Sequence, residues 1–372
     1  MKTEWVHKKL GDNKVALIIM GQSPSSSTYN DDGIGLPFLQ GCADFGEVFP
    51  KIKTYCSDSL KVAPANSILM SVRAPVGTIN KADQKYVIGR GLCSIVPVID
   101  GDFLYYYLLQ NTHELELKAQ GSTFLAINSL ELNEMPISYP KSLSVQRRIA
   151  AILSSADKVI DSTRRLIEKY KKMKQGMMEE LFNEQCTMNN VQWKKVRLGE
   201  MGDFYVGGDV DRSCFSPYPT VECRFPIYAN ALVNEGLYGY SNKYEFDKEA
   251  VTITGRGDVG KVFYRKPYFS TIIRLVTLIP TDSNIDVMFL SYAMSRINFI
   301  IESTGVPQLT APQAKKYEVS IPYKNGNPDL AEQRRIAAIL SGIDAKIAAE
   351  EKVLEKYTLV KKGLMEKLLN NN

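Results

Sequence analysis

The chain has 372 residues, of which 44% are hydrophobic and 23% charged, and its formal net charge is +5. That length accommodates two or three domains with cores of their own, and the composition is that of a globular chain. No run approaches the roughly 18 consecutive apolar residues of a membrane helix, the polar residues 1–10 are not a secretory signal, and with only His7 and His113 there is little material for a zinc site or a histidine-based triad.

In chain order, the first elements are strands over residues 67–72, 86–88 and 92–98, punctuated by Gly, Pro and Asn. A short helix over 103–110 follows, and a long one begins at Gln146. The second half reads alike: strands over 250–254, 261–264 and 273–279, a helix over 287–295, and a long helix from Gln333. Cys42, Cys56, Cys93, Cys186, Cys214 and Cys223 form no CxxC pair or metal-ligand spacing, so free thiols in a cytoplasmic protein are expected.

The two long helices are copies of one another. Residues 146–182 read QRRIAAILSSADKVIDSTRRLIEKYKKMKQGMMEELF, and residues 333–369 read QRRIAAILSGIDAKIAAEEKVLEKYTLVKKGLMEKLL. The offset is 187 without a gap, and 19 of 37 positions are identical. An internal repeat of this kind organises the whole chain.

A heptad-like seam runs through each copy. In the first it comprises Ala156, Ile160, Thr163, Ile167, Tyr170, Lys174, Met177 and Leu181; in the second, Ile343, Ile347, Glu350, Leu354, Tyr357, Lys361, Leu364 and Leu368. A second stripe of Val159, Leu166 and Met173 widens the apolar face. A helix of about 30 residues is roughly 45 Å long and must pack on something. The economical partner is the other copy, antiparallel, and the simplest role is a stiff spacer. The run Lys169, Lys171, Lys172 and Lys174 suits a solvated face or a phosphate-contacting one.

The globular parts repeat more faintly. Trp5 with Leu10-Gly11-Asp12 is echoed by Trp193 with Leu198-Gly199-Glu200. Ser71-Val-Arg73-Ala-Pro-Val-Gly77 is echoed by Thr254-Gly-Arg256-Gly-Asp-Val-Gly260, and Gly121-Ser-Thr-Phe-Leu125 by Gly305-Val-Pro-Gln-Leu309. The order is therefore globular, helix, globular, helix, with α+β domains and a pseudo-two-fold internal repeat.

Two divergent globular domains, each followed by a helix opening with Gln-Arg-Arg-Ile-Ala, resemble the specificity subunits of type I restriction–modification systems. Met20-Gly-Gln-Ser-Pro24, Ile253-Thr-Gly-Arg256-Gly-Asp-Val-Gly260, Met135-Pro136-Ile137 and Ile321-Pro322 match the family style. The resemblance covers essentially the whole chain, and the helical phrase is its most specific part. It implies target recognition domains at 1–141 and 186–328, with conserved helical regions at 142–185 and 329–372. It implies that each recognition domain reads one half of a split, asymmetric site in double-stranded DNA. It also implies that the paired helices fix the separation and dock two modification (methyltransferase) subunits. S-adenosylmethionine would belong to those partners. ATP and Mg would belong to further restriction subunits, and this chain would hold no cofactor or metal and do no chemistry. A reader with two such units prefers half-sites about 34 Å apart, or a multiple of that distance.

Bases are read in the major groove by Arg, Lys, Asn and Gln, whereas phosphates take basic, hydroxyl and backbone N–H groups. On exposed loops, the candidates in the first domain are Gln22, Ser25, Thr28, Tyr29, Gln40, Arg73, Arg90, Ser122 and Thr123. In the second they are Tyr228, Asn230, Arg256, Lys261, Arg274, Gln308 and Thr310. Arg73 and Arg256 hold matching places in the repeat and suit a shared task such as gripping phosphate. Positions that differ, such as Gln40 against Tyr228, suit base reading. The repeated helices carry 17 basic and 10 acidic residues, whereas the rest of the chain is slightly acidic. Basic residues should therefore cluster on one face of each domain, with much of the DNA affinity coming from partner subunits.

Gly255-Arg-Gly257-Asp-Val-Gly260 is formally a GxGxxG, but strand-like sequence follows it rather than a helix, so it reads as a glycine-rich β-turn. There is no GxxxxGK[ST] loop and no Asn/Asp-Pro-Pro-aromatic tetrad. Two other readings stand beside the main one: a self-sufficient methyltransferase or nuclease, and an adaptor whose globular domains bind protein.

Overall fold

A computed structural model describes residues 4–120, 126–184, 191–300 and 308–370, with the side chains of 112–120 left undescribed. Packing divides the chain into two compact units. Residues 1–166 join 351–372 in the first, and 167–350 form the second. The sequence-based boundaries separate globular parts from helices; packing instead divides each long helix between the units.

In the first unit, Trp5–Lys9 pairs antiparallel with Pro136–Pro140. A four-stranded sheet is ordered Ala16–Met20, Leu92–Pro97, Ile68–Ser71, Ile79–Lys81, and a five-stranded one Tyr29–Asn30, Thr54–Cys56, Leu36–Leu39, Tyr86–Ile88, Val62–Ala63. Helices α1 (Gly101–Gln120), α2 (Ser129–Asn133) and α3 (Leu143–Leu181) follow. Asp100 starts α1 by accepting from the Phe103 N–H at 2.9 Å, and Asn128 starts α2 with a capping box to Glu131. Helix α1 is 20 residues long, extending two residues before and ten beyond the 103–110 expected from the sequence.

The second unit repeats the plan. Gln192–Arg197 pairs antiparallel with Glu318–Lys324, which also pairs with Asn327–Pro328. One four-stranded sheet runs Gly202–Val206, Val276–Pro280, Ala250–Ile253, Val262–Arg265; the other runs Phe215–Ser216, Leu237–Ser241, Phe225–Tyr228, Ser270–Thr271. Its helices are α4 (Leu198–Met201), α5 (Val287–Ser295), α6 (Ala311–Ala314) and α7 (Leu330–Leu369). Asp286 caps α5 as Asp100 caps α1, accepting from the Phe289 N–H at 2.8 Å. The strand expected over 273–279 begins only at Val276, because Ile273 and Arg274 adopt left-handed backbone (φ 54° and 57°) that no strand accommodates.

The two repeated helices bury the same positions. Gln146, Ile149, Ala150 and Leu153 enter the first core; Gln333, Ile336, Ala337 and Leu340 enter the second. Each glutamine is a polar bolt. Gln146 Oε1 accepts from the Asp100 N–H at 2.9 Å while its Nε2 donates to the Pro140 carbonyl at 2.7 Å. Gln333 does the same with the Asp286 N–H and the Asn284 carbonyl, both at 3.0 Å.

Within each unit the start of one long helix lies against the end of the other, so the pairing is antiparallel. Leu364, Met365, Leu368 and Leu369 of α7 pack into the core that holds Ile149 and Leu153. Met177, Met178, Leu181 and Phe182 pack into the core that holds Ile336 and Leu340. Ile160 and Ile167 are buried, and Tyr170, Ile347 and Leu354 are half-buried. Tyr357 departs from the expected seam: it is 39% exposed, as are Val159 (36%) and Met173 (44%) of the proposed second stripe. The covered face is narrower than the apolar stripe at these positions: Leu354 and Leu364, on either side of Tyr357, are half-buried. No described helix is long and apolar enough to cross a membrane.

Candidate nucleic-acid interface

Four exposed candidates of the first unit, Gln22, Gln40, Arg73 and Arg90, converge on one loop, residues 88–92. Gln22 N–H donates to the Ile88 carbonyl and Gly21 N–H to that of Leu92, both at 2.9 Å. Gly89 N–H reaches the Leu39 carbonyl at 2.8 Å, and Val72 N–H the Gly91 carbonyl at 2.9 Å. The Ser23 hydroxyl accepts from the Arg90 N–H at 3.1 Å. These main-chain ties bring Gln22, Gln40, Arg73 and Arg90, all exposed, to a single hub. The approach is close enough to require glycine: a Cβ on Gly91 would lie 2.6 Å from the Gln40 carbonyl oxygen.

The second unit builds the same hub with different side chains. Gly207 N–H donates to the Leu275 carbonyl, and Ile272 N–H to the Tyr228 carbonyl, both at 2.9 Å. The Asn230 amide bridges two loops: its Nδ2 donates to the Ile273 carbonyl and its Oδ1 accepts from the Gly255 N–H at 2.7 Å. Leu309 N–H donates to the Gly255 carbonyl at 2.9 Å. The Arg256 guanidinium holds Gln308 Oε1 through Nε at 3.3 Å and Nη2 at 3.1 Å. Asn230, Arg256, Arg274 and Gln308 therefore form one cluster.

The arginine turns are equivalent, as the repeat suggested. Ser71 Oγ donates to the Pro75 carbonyl at 2.5 Å and accepts from the Thr78 N–H at 2.9 Å. Thr254 Oγ1 does the same with the Asp258 carbonyl and the Lys261 N–H, at the same distances. This is a turn running into the strand Val262–Arg265, not a nucleotide-binding loop opening a helix. Lys261 stands exposed beside it.

Other candidates have structural employment. Tyr29 stacks on Phe38, with ring centroids 4.6 Å apart, and its hydroxyl donates to the Pro24 carbonyl. Thr28 donates to the Ser25 carbonyl, and the Ser25 hydroxyl pairs with that of Ser27, so this segment is a self-bonded turn. Thr310 caps α6 in a capping box with Gln313. The Tyr228 ring lies 3.7 Å beneath the Arg265 guanidinium and is half-buried. Lys174 leaves the proposed phosphate-contacting run to pair with Asp344 at 2.6 Å. Ser122, Thr123, Cys186 and most of the 121–125 and 305–309 echo lie outside the described residues.

The strand registers correct one equivalence. Leu39 pairs parallel with Ile88, and Tyr228 with Thr271, so Tyr228 matches Leu39, whereas Gln40 matches Ala229. Sequence reasoning missed Ser23, Arg265 and Ile273. Arg265 sits in a strand of mixed polarity and reads as a surface residue; only strand register matches it to Ala82, buried in the first unit.

The type I restriction modification DNA specificity domain matches residues 2–172 and again residues 190–358. The chain belongs to that family. It is 41% identical over 178 residues to a Methanocaldococcus jannaschii protein assigned as the MjaX type I restriction enzyme specificity subunit, a stretch covering 47% of this chain and 42% of that protein. It is 27% identical over 293 residues to the Mycoplasma pneumoniae protein assigned as the type I specificity subunit S.MpnORF89P, covering 71% of this chain and 84% of that one. The fold resembles the crystal structure of a type I restriction–modification S subunit from M. genitalium, with a TM-score of 0.72 and 21% identity, over 100% of this chain and 97% of that one. Two family domains thus occupy one chain, the first with a hub of exposed polar residues and the second with a hub in which Arg274 is exposed and Asn230, Arg256 and Gln308 are half-buried.

Proposed function

We propose that the two hubs each read one half of a bipartite, asymmetric sequence in double-stranded DNA. The observation that carries this reading is one main-chain scaffold built twice with unlike side chains: Gln22, Gln40 and Arg90 at the first hub, and Arg274 and Gln308 at the second. Side chains that differ on a shared scaffold supply different base contacts, whereas Arg73 and Arg256, which match, supply a common grip on phosphate. The long helices, of 39 and 40 residues, set the distance between half-sites and dock two modification subunits.

On this reading the chain is non-catalytic and acts in the cytoplasm. Adenine methylation with S-adenosylmethionine belongs to the modification subunits. ATP-driven translocation with Mg belongs to restriction subunits. Among the described residues no group of His, Cys, Asp or Glu side chains is arranged to hold a metal ion.

Methylome sequencing of cells with and without the chain tests the proposal. Loss of one bipartite methyladenine motif is expected, and replacing residues 1–141 with another such domain should change one half of that motif. A purified chain that methylates or cuts DNA unaided would favour an enzyme. A motif indifferent to the exchange would favour an adaptor.

A further inference from the structure

An arginine in a protein interior is costly unless it is bonded and put to use. Arg265 is 2% exposed. Strand register identifies what the first unit has in its place. Ala82 N–H bonds the Ser67 carbonyl, while Arg265 pairs with Ala250, and the matching turns align Ser71 with Thr254. Leu39, Leu69 and Ala82, three members of one apolar cluster, therefore correspond to Tyr228, Thr252 and Arg265. Three apolar residues of the first unit thus stand where the second has three polar ones that engage each other. The guanidinium lies over the Tyr228 ring at 3.7 Å, and Nε donates to Thr252 Oγ1 at 2.9 Å.

What this polar core holds is a loop. Arg265 Nη2 donates to the Glu235 carbonyl at 2.5 Å, and Nη1 stands 3.7 Å from the Glu235 carboxylate. Asn234 and Glu235 both have positive φ (49° and 54°), a conformation that non-glycine residues keep only where their surroundings impose it. The other end is secured by Asn230, whose amide ties it to Gly255 and Ile273, beside Arg256 and Arg274. Between these anchors residues 231–235 are exposed, with Val233 78% and Leu232 44% accessible. The first unit closes the corresponding loop differently: Asp44 accepts from the Gln40 and Gly41 N–H groups at 2.9 and 3.4 Å.

We propose that residues 231–234 are a specificity-determining element of the second recognition domain and that Arg265 is its positioning residue. The inference rests on the reading that this domain contacts DNA. Two aliphatic side chains and an amide, held rigidly at the edge of the hub, suit thymine methyl groups and the adenine edge. The loop therefore reads an A·T pair in the half-site assigned to this domain. Asn230 ties the backbone rather than reading a base.

The test uses the full chain with its modification subunits and measures methylation of sites carrying each single-base change. Val233→Ser with Asn234→Gly removes the tip's valine and amide groups without forcing a Cβ into the left-handed backbone at 234. Tyr228→Leu, Thr252→Leu and Arg265→Ala together install the first unit's apolar trio and free the loop. Each set should reduce discrimination at an A·T position of the second half-site by about tenfold, while the first half-site is read as before and thermal stability of the tip variant is unchanged. Undiminished discrimination in the tip variant overturns the proposal, even if the triple variant fails to fold. Equal relaxation in both half-sites also overturns it, since that is the mark of general destabilisation. If no bipartite motif depends on the chain at all, the DNA reading fails instead, and the two failures are told apart.

Discussion

Lys361 Nζ lies 2.5 Å from Asp157 Oδ1, and 187 residues earlier Lys174 meets Asp344 in the same way at 2.6 Å. Each pair joins the two long helices and recruits a tyrosine from the neighbouring domain. The Tyr106 hydroxyl donates to Asp157 at 2.7 Å, and that of Tyr292 to Asp344 at 2.6 Å. One polar triad is thus built twice, each time from both copies of the repeat.

The triad should contribute measurably to helix pairing. Asp157→Ala leaves Lys361 and the buried Tyr106 hydroxyl without their acceptor, and should cost about 1–3 kcal/mol. A double-mutant cycle with Lys361→Ala isolates the ion pair, expected at about 0.5–1 kcal/mol for a partly exposed pair. A coupling energy of zero would mean that packing alone pairs the helices.

Gln146 and Gln333 should be less tolerant still. Each buried amide satisfies one backbone N–H and one carbonyl, so Gln146→Ala strands both and should cost about 2–4 kcal/mol. Denaturant unfolding of this variant and of Gln333→Ala measures the effect. Losses below about 0.5 kcal/mol would mean that water replaces the amide.

Alkaline pH offers a third check. Burial, reinforced by the hydrogen bonds to Asp157 and Asp344, holds the Tyr106 and Tyr292 phenols well above the ordinary tyrosine range. In the folded state they keep protons that the unfolded chain loses near pH 10, so their contribution is complete below about pH 10 and drains as pH rises past it. Stability should therefore be level between about pH 7 and 9 and decline above about pH 10. Replacing both tyrosines with Phe should flatten that decline; an unchanged slope would assign it to other groups.

Arg73 and Arg256 should behave as phosphate contacts. Arg73→Ala or Arg256→Ala should weaken DNA binding by the assembled complex about equally across sequences and lower the salt slope by about one. A change confined to one base position would make the arginine a base reader.

The isolated chain should bind DNA weakly in about 0.15 M salt, because its surplus of basic residues lies in the helices rather than the globular domains. Gel-shift titration with and without modification subunits measures this. Tight sequence-specific binding by the chain alone would contradict it.

The repeated helices were legible because the residues that bury them are the residues that repeat: Leu153 and Leu340, each 0% exposed, stand at the 187-residue offset. Tyr357 was misassigned to the seam because heptad spacing registers the apolar face of a helix, not how much of that face its neighbours cover: Leu354 and Leu364 on either side are half-buried. The hubs were half legible. Arg and Asn on glycine-rich turns attract notice, but the ties of Gln22 to Ile88 and of Gly89 to Leu39 join segments far apart in sequence through backbone groups that side-chain pattern does not announce. Tyr228 misled because a tyrosine near a turn reads alike whether its ring faces solvent or lies beneath a guanidinium 37 residues away.

Because the loops at each hub are tied together mainly through peptide N–H and carbonyl groups, most of their side chains can be exchanged without dismantling the frame. Such a construction separates grammar from vocabulary. On the proposed reading, new words, in the form of altered target sequences, become accessible through a few substitutions in one half while the other half goes on being spoken unchanged.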